Sequence, residues 1–158
     1  MKLFAVYLGG KASGANIEVH DLVFVVGKEI KSCFSDIKGK WFGDQNSVHI
    51  DSYAELSIID RYEISLSLDK IKNKNNLFFV NLGFADPTVF GEGHLMSFII
   101  APNASEAKIQ AKKMFPKNVV GNHLDNLIKL SQIDTYYINV IPTDKKSELH
   151  FTNVYWKL

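Results

Sequence analysis

Apolar and polar positions alternate near the start of the chain, where Phe4, Val6 and Leu8 interleave with Ala5, Tyr7 and Gly9, and the pattern returns at Phe78, Val80 and Leu82. Side chains two apart share one face of a strand, so both stretches predict strands. Each is followed by a loop and then by a nearly continuous apolar run, residues 22–26 and 96–100, as expected of a strand covered on both faces. The period then becomes helical. Ile30, Cys33, Phe34, Ile37 and Trp41 fall on one side, with Lys31, Asp36 and Lys38 facing away. Later, Asn103 with Glu106 predicts a capped helix start, Ala104, Ala107, Ala111 and Met114 supply its apolar side, and Pro116 ends it. Two more strands are predicted at 48–56 and 62–68, with counterparts near 122–130 and 136–141, although Ser52-Tyr53-Ala54-Glu55 could equally cap a short helix. Residues 69–76, with Lys70, Lys72 and Lys74 among asparagines, form a polar connector, and alternation over about 149–156 predicts an added terminal strand.

These elements describe one unit written twice. Leu3-Phe4-Ala5-Val6-Tyr7-Leu8-Gly9 returns as Leu77-Phe78-Phe79-Val80-Asn81-Leu82-Gly83, an offset of 74, and the offset holds without a gap across residues 3–68 and 77–142. Over those 66 positions 17 are identical, where about four are expected by chance. The fold expected is therefore α+β: a tandem β-β-α-β-β duplication forming one pseudo-two-fold domain, mainly antiparallel sheet with two helices packed on it. At 158 residues a single domain over 1–158 is the default.

Matches of glycine and apolar residues follow from packing, but the copies also keep Glu18 with Glu92, His20 with His94, His49 with His123, and Asp51 with Asp125. Charged and imidazole side chains are seldom kept for burial. Each copy thus holds Glu-x-His and His-x-Asp, and on a strand the i, i+2 spacing sets an imidazole and a carboxylate side by side. If the two strands are neighbours, two histidines and two carboxylates converge. Such a nitrogen and oxygen set suits a divalent transition metal such as Zn²⁺, Mn²⁺ or Fe²⁺. The same groups could act as general acid and base, or form a hydrogen-bonded network that serves folding. The spacing matches no established metal motif.

Charge and cysteine content narrow the field. The net charge is +1 and seventeen of the eighteen basic residues are lysine, which disfavours nucleic acid as a partner, even though Lys108, Lys112, Lys113 and Lys117 make the second helix basic. The apolar runs fall far short of the roughly 18 residues that span a bilayer, so no membrane segment is expected. One cysteine, Cys33, allows no intrachain disulfide and points to a reducing cytoplasm; on the apolar stripe it reads as a small hydrophobe. Gly9-Gly10-Lys11-Ala12-Ser13-Gly14 has the flavour of a phosphate loop, but the second copy lacks it, and a strand follows where phosphate binding needs a helix N-terminus.

The segments at residues 3–10, Asn16-Ile17-Glu18-Val19-His20-Asp21, His49-Ile50-Asp51 and Asn76-Leu77-Phe78-Phe79-Val80-Asn81-Leu82-Gly83 resemble an uncharacterised bacterial family, domain of unknown function 1543. The resemblance covers nearly the whole chain and implies a bacterial cytosolic protein with paired copies of the domain. It implies no activity, substrate or cofactor. In the second copy Leu95 stands where the first has Asp21. The function expected is a non-enzymatic ligand- or partner-binding domain acting through the Glu/His/Asp clusters, with a homodimer possible. The alternatives are a metal-dependent hydrolase using Glu18, His20, His49 and Asp51, and nucleic-acid binding through the lysine-rich helices.

Overall fold

The computed structural model describes residues 1–146 and 148–158. The first copy contributes β1 (Lys2–Gly10), β2 (Val19–Gly27), a 3-10 turn (Ile30–Cys33) leading into helix α1 (Phe34–Lys40), β3 (His49–Glu55), the two-residue β4 (Ile58–Ile59) and β5 (Tyr62–Ser67). The second contributes β6 (Asn76–Ala85), β7 (Gly93–Ala101), α2 (Ala104–Lys112), β8 (Val120–Leu130), β9 (Gln132–Ile133) and β10 (Tyr136–Pro142), after which β11 (Thr152–Lys157) follows. Residues 52–55 are strand, not a helix cap, and Asn103 caps α2 by accepting the Glu106 N–H at 3.0 Å.

Among the described residues every pairing is antiparallel, in three sheets ordered β11-β3-β1-β2, β7-β6-β8 and β4-β5-β10-β9. Each copy's first three strands therefore form their own sheet, with the first strand in the middle. The fourth strand leaves that sheet. β5 pairs with β10 of the other copy, Ile64 opposite Val140, Leu66 opposite Ile138, and Ser65 opposite Asn139. Adding the repeat offset of 74 to residue 65 gives 139, so the pseudo-two-fold axis runs through the Ser65–Asn139 pair. The short β4–β5 hairpin turns through Asp60 (φ 48°) and Arg61 (φ 64°), and Asp134 (φ 52°) sits at the matching turn. Asp is among the residues that tolerate this left-handed region, which explains its presence in both copies.

Strand alternation divides the apolar residues between layers. Leu3 and Ala5 point inward and share one core with Leu77, Phe79, Phe98 and Ile100 of the other copy and with Ile64, Ile138 and Val140 of the crossing strands. Phe4, Val6 and Leu8 point outward against Ile30, Cys33, Ile37 and Trp41, and Phe78, Val80 and Leu82 pack on Ala107 and Ala111 of α2. The layers run helix, sheet, sheet, helix, with the copies facing each other across the central core.

Truncating Ile64 or Ile138, related by the axis and 8% and 4% exposed, is expected to cost about 2–5 kcal/mol each. Trp41 and Trp156 both pack against the first copy's sheet. Indole fluorescence in a denaturant series should therefore report Ile138→Ala as a lowered midpoint coincident with circular dichroism, although the substitution lies in the other copy. An unmoved fluorescence midpoint would mean that the copies do not share a cooperative core.

Candidate metal centre

The four first-copy candidates meet at the inner end of β1. Gly9 sits on this central strand, with His20 of β2 directly opposite on one side and His49 of β3 on the other. Directly paired residues project to the same face, so two imidazoles flank one glycine. A Cβ on Gly9 would stand 2.7 Å from Asp51 Oδ2, 2.7 Å from His49 Nε2 and 3.0 Å from Glu18 Oε1. Only the missing side chain lets these groups close over the strand. Glycine is kept here in both copies, which was the unused signal in the sequence.

The carboxylate of Asp51 arrives by a different device. Tyr7 pairs with Ser52 and Leu8 with Ile50, which leaves Asp51 as the extra residue of a β-bulge. A bulge re-aims its side chain and lets β3 present His49, Asp51 and Ser52 toward the inner face. In the second copy Asn81 pairs with Asn126 and Leu82 with Leu124, so Asp125 is again the bulged residue.

His20 Nε2 lies 3.4 Å from Glu18 Oε1 and 3.5 Å from Asp51 Oδ2; His49 Nε2 lies 3.5 Å from Glu18 Oε1 and 3.2 Å from Asp51 Oδ1. Charge-assisted hydrogen bonds would bring such atoms to about 2.7–2.9 Å. Ligands on arms of about 2.0–2.1 Å around a tetrahedral zinc ion stand about 3.3–3.4 Å apart, close to these four contacts, and Glu18, His20 and Asp51 together offer ligand atoms within 4.8 Å of one another. His49 is the sharper witness. Its side chain is 3% exposed, its Nδ1 faces the Ser47 carbonyl at 3.2 Å, and its buried Nε2 has no hydrogen-bond partner. With Nδ1–H donating to that carbonyl, Nε2 carries a lone pair aimed at two carboxylates. A cation between them removes the repulsion, and a carbonyl holding the far nitrogen is the usual support of a metal-bound imidazole.

The second copy repeats the set in a different state. Gly83 is flanked by His94 and His123. Here His123 Nε2 is 2.8 Å from Glu92 and 2.9 Å from Asp125, whereas His94 turns its two nitrogens to different carboxylates, Nε2 to Glu92 at 3.5 Å and Nδ1 to Asp125 at 3.2 Å. His123 Nε2 thus stands at close ion-pair distance from both carboxylates, nearer than His49 Nε2 does in the first copy. The His123 imidazolium is held above the usual histidine range, first by the Gly121 carbonyl on Nδ1 and then by Asp125 and Glu92. The two sets also differ in cover: β11 pairs with β3 and sets the Tyr155 ring 4.5 Å from the His49 ring. Among the described residues β8 has no such cover, and the His123 side chain is 48% exposed.

Other sequence candidates fall elsewhere. Gly9 and Gly10 belong to β1, and the loop after them leads into β2, so no helix N-terminus faces a phosphate. Cys33 is buried and its thiol is pushed up by that burial. The lysines of α2 are exposed, and among the described residues no helix is long and apolar enough to cross a membrane.

Comparisons with known proteins follow the same plan. The family model described as Domain of Unknown Function (DUF1543) matches residues 15–66 and again 90–140, one match in each copy. No curated protein matches the chain. A solved structure, that of a protein Il1583 from Idiomarina loihiensis, is similar over 99% of this chain and 97% of its own, at 32% identity and a TM-score of 0.80. With the family model covering most of the chain, in two copies, the chain belongs to the DUF1543 family.

Proposed function

We propose that the protein is a metal-binding domain whose first Glu18/His20/His49/Asp51 set holds one divalent transition metal, zinc by donor type, and whose second set, Glu92/His94/His123/Asp125, is a weaker twin. The carrying observation is the unpartnered, 3% exposed His49 Nε2 among contacts of 3.2–3.5 Å. Completed by His49, two imidazoles and two carboxylates would make four ligands for a dication; Glu18, His20 and Asp51 bring ligand atoms within 4.8 Å of one another, and His49 must close on that group to join it. Such closed four-ligand spheres typify structural sites, whereas catalytic zinc keeps a position open. That supports a binding role over the hydrolase. The ion ties together the ends of β2 and β3 and the loop carrying Glu18, across the central glycine.

At the second set a metal must displace the proton of His123 and turn the His94 ring so that one nitrogen serves both carboxylates. Both requirements weaken it.

Calorimetric titration of tag-free protein should show one tight zinc site and a second, weaker one. His49→Ala should abolish the tight phase, and zinc at about 100 times its Kd should stabilise wild type by about 2.7 kcal/mol. A His49→Ala protein that takes up zinc as tightly as wild type would overturn the assignment. Gly9→Ala should remove the tight site as completely, because its methyl falls on the ligands. Gly39→Ala on α1, where a Cβ meets nothing within 4 Å, should leave zinc uptake unchanged.

The sign of the pH effect follows from His123, whose pKa is raised. Its proton competes with metal, so zinc affinity at the second set should climb as pH rises through the raised pKa and level off above it. A second-site affinity independent of pH would show that His123 is not a ligand.

A further inference from the structure

The pseudo-two-fold symmetry is broken on the inner face of the sheets. Adding the repeat offset of 74 to Ala5 and Ala54 of the first copy gives Phe79 and Ile128 in the second. Ala5 and Ala54 stand directly opposite each other on β1 and β3, so their side chains share the face turned to the other copy. Two alanines in place of a phenylalanine and an isoleucine leave room, and a cavity of about 320 Å³ lies against them. It adjoins a cleft of about 460 Å³ walled by His20 and His94, with Tyr7, Leu22, Phe79 and Met96 lining both spaces. Volumes of this size are typical of small-molecule sites.

The cavity lining is aromatic and uncharged, with one polar corner. Phe79, Phe98 and Phe151 contribute rings and Met96 a thioether, a surface suited to an aromatic guest. Among the described residues none that lines it carries a charge. The polar corner is the pair Tyr7 and Ser52, again directly opposite across β1 and β3 and therefore on the same inner face. Both line the cavity, and neither hydroxyl has a hydrogen-bond partner among the described residues. Burial first, and the Asp51 carboxylate second, hold the Tyr7 phenol above its ordinary range, so it stays a protonated donor. The same carboxylate disfavours an anionic guest, and with no acid in the lining nothing there attracts a cation.

We infer that this alanine-floored cavity binds a small neutral aromatic molecule bearing one hydroxyl or carbonyl oxygen, its ring among Phe79, Met96 and Phe98 and its oxygen at the Tyr7 and Ser52 hydroxyls. The lining includes none of the eight proposed metal ligands, and the site needs no ion.

The probe is naphthol, titrated by calorimetry in excess chelator, so that the outcome does not depend on metal at either cluster. Naphthol should bind one to one, at least about tenfold tighter than naphthoate, the same ring with a negative charge, and at least about tenfold tighter than naphthylmethylamine, a cation at neutral pH. Tyr7→Phe keeps the ring that stacks on His20 and loses the hydroxyl. It should weaken naphthol by about three- to tenfold, while naphthalene, which has no oxygen, binds both proteins alike. Ala54→Ile, which gives the first copy the residue of the second, should abolish binding of both compounds. Because Ala54 is 2% exposed, Phe151→Ala at the 60% exposed rim supplies a variant that leaves the core alone; losing a wall ring should weaken both compounds by at least about threefold. Circular dichroism checks that each variant is folded. Either charged analogue binding as tightly as naphthol, a folded Tyr7→Phe, Ala54→Ile or Phe151→Ala protein with unchanged naphthol affinity, or no naphthol binding at all would each overturn the inference.

Discussion

A strand that lacks a Cβ at one position governs the inner face of each sheet. Gly9 and Gly83 occupy the middle strand, and the residues directly opposite on both neighbours are histidines. Any larger residue would drive a methyl group to 2.5–3.0 Å from the imidazole and carboxylate atoms that crowd there. The glycine does not serve a turn or an unusual backbone angle. It creates space in a regular strand, and the β-bulge at Asp51 or Asp125 then fills that space with a carboxylate. Polar convergence at this point is thus written into register and bulge together.

Duplication doubles the arrangement, and the crossing of β5 and β10 turns the copies toward each other. Because the fourth strand of each unit pairs across the axis, the inner faces of both sheets bury a common core. The same geometry brings His20 and His94 to one cleft. β11 breaks the symmetry. By pairing with β3 it buries His49 beneath Tyr155, while His123 stays open to solvent, its pKa raised chiefly by the Gly121 carbonyl. One sequence motif therefore exists in two settings, a buried Nε2 without a hydrogen-bond partner and an exposed imidazole whose Nε2 stands 2.8 and 2.9 Å from two carboxylates.

Much of this could be read before any coordinates. Alternation at Phe4, Val6 and Leu8 and the helical spacing of Ile30, Cys33 and Ile37 placed the elements, because period 2 and period 3.6 patterns reflect one buried face. The i, i+2 spacing of Glu18/His20 and His49/Asp51 singled out these four residues, but alternation does not place them: Glu18 stands in the loop before β2 and Asp51 is the bulged residue of β3. The exchange of β5 and β10 was not legible. A strand carries its own face in its sequence but not the identity of its partner, and Ser65 opposite Asn139 leaves no local trace. Equally hidden were the bulge, which shifts register by one residue without a marker such as glycine, and the purpose of Gly9, since kept glycines are ordinarily explained by turns or packing.

Diffraction from zinc-soaked crystals, with data on both sides of the zinc absorption edge, tests the metal centre most directly. An anomalous peak about 2.0–2.1 Å from nitrogen atoms of both His20 and His49 and from oxygen atoms of Glu18 and Asp51 is the expected result. A soaked crystal with no peak there, and with His49 Nε2 hydrogen-bonded to a carboxylate at about 2.8 Å, would show instead that the four side chains share a proton and form a structural network.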